Sequence, residues 1–113
     1  MYKEIDNVKT YFHNFELIEP SKQSVLFIAG AGMDHRFVRA LNLLDEEFNP
    51  PLVIDLPGHG ETQGSSRNQI EDYSGFLGEA LIDLKISNLT ICGYSMGGLI
   101  ALDLIINKKL SVK

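Results

Sequence analysis

Leu89-Thr90-Ile91-Cys92-Gly93-Tyr94-Ser95-Met96-Gly97-Gly98 is the stretch that decides how this chain reads. An apolar, β-rich run leads into Gly-x-Ser-x-Gly, and the residues from Gly98 to Lys109 suit a helix. That order is the pattern of a sharp strand-to-helix turn, which lifts a serine hydroxyl above the end of a parallel sheet. Sterics explain the glycines. The serine backbone is strained, and side chains two residues to either side would collide where strand and helix nearly touch. Ser95 is therefore a candidate nucleophile; a serine in an ordinary tight turn, acting as an N-cap, is the alternative. Only eighteen residues follow Ser95, and none of them is a histidine.

Upstream, strands alternate with helices. Tyr2–Ile5 and the run from Val8 to Phe15 read as two strands joined by a tight turn at Asp6-Asn7. His13 falls in the second of these and reads as a strand or surface histidine. Ser24 to Ala29 is nearly continuous apolar sequence, the mark of a strand buried on both faces. After Asp34, a candidate N-cap, Phe37, Ala40, Leu41, Leu44 and Phe48 fall at helical spacing, and Asn49-Pro50-Pro51 stops the run. Leu52 to Asp55 is a further short buried strand. Asn68 and Glu71 resemble a capping box before a helix with Ile70, Tyr73, Leu77, Leu81 and Leu84 on its apolar face. Gly75 and Gly78 inside that helix cost about 1 kcal/mol each against alanine, so close packing is expected around them. The helix after Ser95 is apolar nearly all round and expects cover on most sides.

This alternation predicts parallel βαβ units in one three-layer α/β domain over residues 1–113, with an antiparallel hairpin at its N-terminal edge. Ligands in such sheets bind beyond the carboxyl ends of the strands. The loops leaving those ends (30–34, 56–64 and the turn at Ser95) hold the unusual residues, so this edge is the expected site.

Composition narrows the partners. The 113 residues carry a net charge of −5, which argues against a nucleic-acid or anionic-membrane footprint. No apolar run approaches the roughly 20 residues needed to span a bilayer. One cysteine, Cys92, excludes an internal disulfide and fits a cytoplasmic setting; its place in a strand predicts a buried, inert thiol. No His/Cys/Asp/Glu cluster has metal-ligand spacing, and the glycines near position 30 do not form G-x-G-x-x-G, so neither metal nor dinucleotide cofactor is expected.

Three segments together resemble the landmarks of the α/β-hydrolase fold: Phe27-Ile28-Ala29-Gly30-Ala31-Gly32-Met33-Asp34-His35, Asp55-Leu56-Pro57-Gly58-His59-Gly60 and Gly93-Tyr94-Ser95-Met96-Gly97-Gly98. They occur in the family's order and spacing. The resemblance implies that Ser95 is the nucleophile and that the backbone N–H groups of Ala31 and Met96 form the oxyanion hole. It makes Gly30, Gly32, His35, His59 and Tyr94 candidates for the pocket walls, with His35 at a helix start on the rim and His59 structural rather than the base. Many relatives have histidine where this chain has Ala29, a residue expected to brace the oxyanion loop. The resemblance also implies that residues 1–113 are the N-terminal half of the fold, with Leu110-Ser111-Val112-Lys113 approaching a sixth strand.

Family order runs Ser, then Asp or Glu, then His. After Ser95 the one acid is Asp103, two turns into the helix, and the base is missing. Two readings follow. In the first, the chain is part of a serine hydrolase cleaving carboxylic esters or related acyl compounds through a Ser95 acyl-enzyme, with lyase chemistry open because relatives share the motifs. In the second, it is a truncated, non-catalytic remnant or interaction module. In either case the strand before Ser95 is expected to be a bare sheet edge through which the chain self-associates.

Overall fold

A computed structural model describes residues 1–40, 47–84 and 89–107. Five strands form one sheet in the order β1-β2-β4-β3-β5. The hairpin of β1 (Tyr2–Ile5) and β2 (Val8–His13) is antiparallel, with Ile5 opposite Val8. Its turn residues Asp6 and Asn7 have φ of 49° and 62°, the pair of left-handed residues that a twist-matched two-residue hairpin requires. β2 ends at His13 rather than continuing to Phe15. Asn14 leaves the strand at φ 68°, its side-chain amide donates to the Pro51 carbonyl at 2.8 Å, and Phe15–Leu17 turn into a 3-10 helix.

β2 pairs antiparallel with β4 (Leu52–Ile54), which pairs parallel with β3 (Ser24–Ile28). β5 (Leu89–Gly93) then pairs parallel with β3 over five residues, from Ser24 opposite Leu89 to Ile28 opposite Gly93. Strand alternation splits the core into two layers. Leu26, Ile28, Leu52 and Ile54 face the larger cluster, which takes Tyr73, Phe76, Leu77, Ala80 and Leu81 from α1 (Ile70–Leu84) and Ile100 and Leu104 from α2 (Met96–Asn107). Val25, Phe27 and Val53 face the other way, against Val38 with Phe37 and Phe48. The result is the three-layer, mostly parallel arrangement with its antiparallel edge.

Three details differ from expectation. The run after Asp34 forms a 3-10 helix, His35–Ala40, where an α-helix was expected; Asp34 caps it, its Oδ1 accepting from the Arg36 N–H at 2.9 Å. Leu41 and Leu44 of the expected helical face lie outside the described residues, as do Leu110 to Lys113. Close packing does not account for Gly75, because a Cβ added there would meet no atom within 4 Å. Cys92 is exposed, not buried. The reason is topological: β5 is the outermost strand, so the far side of Cys92 has no neighbouring strand among the described residues. That open edge was expected, and α2 beside it exposes Leu99, Leu102, Ile105 and Ile106.

Candidate active site

Ser95 occupies the turn between β5 and α2 with φ 55°, a left-handed conformation that a residue with a side chain rarely adopts. The surrounding backbone holds it there. The Tyr94 N–H donates to the Ile28 carbonyl at 3.0 Å, while Gly97 and Gly98 N–H groups donate to the Tyr94 and Ser95 carbonyls, both at 2.9 Å, and so begin the helix. Gly97 is obligatory for a simple reason. A Cβ there would land on the Ile28 carbonyl of β3, and one at Gly93 would come within 2.6 Å of the Gly98 Cα. The hydroxyl-bearing residue is exposed at the carboxyl edge of the sheet.

The loop after β3 meets this turn. Gly30 and Met33 close a tight turn, the Met33 N–H donating to the Gly30 carbonyl at 3.1 Å. A Cβ on Gly30 would sit 3.3 Å from the Tyr94 carbonyl oxygen and 3.4 Å from the Ser95 Cβ, so the two loops run close enough that any side chain at position 30 would touch the turn. Ala31 and Met96 line a common cleft of about 420 Å³. Gly32, Gly58, His59 and Gly60 form more of its wall, and Ser66, Arg67 and Tyr73 complete it. The sequence-derived set therefore divides. Ala31, Gly32, His59 and Met96 come together on the cleft, whereas Gly30, His35, Tyr94 and Ser95 itself are not among the residues lining it; Ser95 stands next to the lining residue Met96.

His35 has a different situation from the expected rim position. It is buried, and both its backbone N–H and its ring bind Asp55: N to Oδ1 and Nδ1 to Oδ2, each at 2.7 Å. Asp55, at the end of β4 and 1% exposed, also accepts from the Glu61 N–H through Oδ2 at 3.0 Å, and its carbonyl accepts from the Thr62 hydroxyl at 2.7 Å. Thr62 in turn accepts from the Tyr11 N–H at 3.0 Å. One carboxylate thus ties the loop after β3 to the loop after β4. The rings of His35, Tyr11 and His13 form a triangular cluster, with His35 4.6 Å from Tyr11 and 4.7 Å from His13 and those two 5.9 Å apart. Burial, followed by the negative charge of Glu16, raises the Tyr11 phenol above its ordinary range.

Nδ1 of each histidine is engaged away from Ser95: His13 with the Tyr11 hydroxyl, His35 with Asp55, and His59 with the Pro57 carbonyl at 3.0 Å. Asp103 hydrogen-bonds the Ser74 hydroxyl of α1, which carries this acid away from the turn. Among the described residues no group of three His, Cys, Asp or Glu could hold a metal ion, and no helix is long and apolar enough to cross a membrane. Gly58, Gly60, Ser66, Arg67 and Tyr73 line the cleft without standing among the sequence-derived site residues. Tyr73 sits at a core position of the helical pattern, and Arg67 stands in a polar loop with no spacing signal.

Residues 25–112 match the sequence model described as the Alpha/beta hydrolase family. The chain is 25% identical over 112 residues to "Putative esterase/lipase 2" of Mycoplasma genitalium, covering 95% of this chain and 41% of that protein. It is 43% identical over 54 residues to 2-succinyl-6-hydroxy-2,4-cyclohexadiene-1-carboxylate synthase of Photorhabdus laumondii, covering 48% of this chain and 19% of that one. Among solved structures it resembles MGS-M2, an alpha/beta hydrolase enzyme from a Medee basin deep-sea metagenome library. The TM-score is 0.84 at 17% identity, over 100% of this chain and 42% of that one. It also resembles Est1E from Butyrivibrio proteoclasticus, with a TM-score of 0.75 at 18% identity, over 96% of this chain and 48% of that one. The chain spans less than half the length of each of these proteins.

Proposed function

The chain belongs to the α/β-hydrolase family, and on that premise we propose that it carries the nucleophile and oxyanion hole of a serine hydrolase acting on carboxylic esters or related acyl compounds. The observation that carries this reading is the conformation of Ser95. A residue held at φ 55° between a strand and a helix is strained, and such strain persists where the surroundings enforce it. In this reading the Ser95 Oγ attacks the acyl carbon, and the backbone N–H groups of Ala31 and Met96 receive the developing oxyanion. Met96 begins α2, whose dipole adds to the stabilisation. Donors of this kind contribute about 3 to 4 kcal/mol each to the transition state.

The base and its acid come, in this proposal, from polypeptide outside residues 1–113. Among the described residues no hydrogen bond joins the Ser95 hydroxyl to a histidine, and Asp103 is bound to Ser74, which supports that division. The relatives named for esterase and synthase activities are more than twice as long. With the base supplied, Ser95→Ala is expected to lower turnover of p-nitrophenyl butyrate by about 10⁴- to 10⁶-fold while leaving the circular dichroism spectrum unchanged. Near-normal turnover in Ser95→Ala would sink the assignment.

A second reading is favoured by a separate observation, the open edge of β5 beside the exposed apolar residues of α2. In that reading the chain is an interaction module that self-associates through this face. Sedimentation at high micromolar concentration is expected to show dimers or larger species; a clean monomer would count against it.

A further inference from the structure

The cleft shared by Ala31 and Met96 has one permanently charged residue among those lining it, Arg67, in a protein whose net charge is −5. The carboxylates on the neighbouring loops are already occupied. Arg36 binds Asp34 at 2.8 Å and Glu61 at 3.2 Å, and Asp55 is held by His35. Arg67 forms no ion pair with a carboxylate among the described residues. One guanidinium N–H meets the Ser65 carbonyl at 3.3 Å, which leaves further donors of the planar fork available.

The backbone of Arg67 is fixed independently of its side chain. Its N–H donates to the Tyr73 hydroxyl at 2.8 Å, and that hydroxyl donates to the Arg67 carbonyl at 3.3 Å. Tyr73 is anchored in the core through the rest of its ring. The guanidinium of this half-buried residue is thus carried on a backbone tied twice to Tyr73 and beside the Ala31–Gly32 loop, which is how a recognition group is mounted. Guanidinium donors match a carboxylate in geometry as well as in charge.

We propose that Arg67 is a specificity-determining residue that makes the cleft select acyl substrates bearing a second, anionic group, a carboxylate. This inference rests on the cleft being the acyl-binding site of the hydrolase reading. The ester carbonyl lies towards Ala31 and Met96, and the remote carboxylate lies on Arg67.

Binding tests this without turnover. Backbone amide shifts of the ¹⁵N-labelled chain are followed while monobutyl glutarate, or its neutral counterpart butyl methyl glutarate, is titrated in. The anionic ester is expected to bind about tenfold more tightly than the neutral one, the worth of one half-exposed charge-assisted hydrogen bond. Shifts are expected at Ala31, Gly32, Gly58 and Gly60. Arg67→Gln is expected to reduce the preference to less than twofold by weakening the anion alone, and Arg67→Lys to keep part of it. Because the Tyr73 contacts use the Arg67 backbone, both variants retain the fold. Equal affinity for the two esters in the wild type, or an undiminished preference in Arg67→Gln, would overturn the proposal. Ser95→Ala separates the two readings. It is expected to keep the anion preference whatever its effect on turnover, and loss of the preference there with Arg67 intact would refute the assignment to Arg67.

Discussion

Removing the carboxylate of Asp55 leaves three donors without an acceptor, two of them buried: the His35 N–H and ring N–H, and the partly buried Glu61 N–H. Each orphaned donor costs about 1 to 3 kcal/mol when water cannot replace the acceptor. Glu61 is at the surface, so its amide is partly rehydrated, whereas the two His35 groups are not. Asp55→Ala is therefore expected to lose about 3 to 6 kcal/mol, a large share of the roughly 5 to 15 kcal/mol that holds a domain of this size together. Asp55→Asn keeps one oxygen. Placed at the Oδ2 position, it serves the His35 ring and Glu61, while its amide faces the His35 N–H donor to donor, so a loss of about 1 to 3 kcal/mol is expected. His35→Ala removes the ring but not the backbone donor, and should cost less than Asp55→Ala. Urea unfolding followed by far-ultraviolet circular dichroism supplies the free energies, with an unchanged m-value showing that the unfolded state is comparable. In a double-mutant cycle, Asp55→Ala and His35→Ala should be strongly non-additive. Asp55→Ala within 1 kcal/mol of wild type would refute the claim that this carboxylate joins the two loops.

Gly75→Ala introduces a methyl into open space within α1 and should stabilise the chain by about 1 kcal/mol. Thermal melting should show a rise of about 3 to 6 °C, and a fall would mean that the site is crowded after all. Ser95→Gly relieves the left-handed strain and should stabilise by about 1 kcal/mol in the same urea assay. No gain there would show that φ 55° carries no strain.

Much of the architecture was legible because it rests on short-range rules. Asp6-Asn7 announces its hairpin, the run from Ser24 to Ala29 announces a strand covered on both faces, and Gly93 and Gly97 announce a contact closer than any side chain permits. What escaped depends on chain partners far apart in sequence. The bond between His35 and Asp55 joins residues twenty positions apart, and neither residue's local pattern specifies the other. Arg67 reaches the cleft only because α1 packs where it does, with Tyr73 clamping the residues before it. The exposure of Cys92 follows from strand order, not from the apolar character of its strand, which by itself predicted burial. The 3-10 form of His35–Ala40 was equally hidden, since helical spacing of apolar residues does not distinguish an α-turn from a tighter one over so short a length.

The strand order also sets a timetable for synthesis. β3 lies between β4 and β5, and its register with β5 joins Ser24 to Leu89, 65 positions later in the chain. At translation rates of about 5 to 20 residues per second, one edge of β3 waits about 3 to 13 s for its partner. During that interval the nascent chain presents Val25, Leu26, Phe27 and Ile28 along a strand unpaired on that edge, an apolar sequence prone to adhesion. Ser95 can take up its strained turn only after that wait ends, because Tyr94 and Gly97 rest on the Ile28 end of β3. The turn at Ser95 thus forms late, and a ribosome pausing between β4 and β5 would lengthen the period in which a chaperone, or another nascent copy, can claim the open edge.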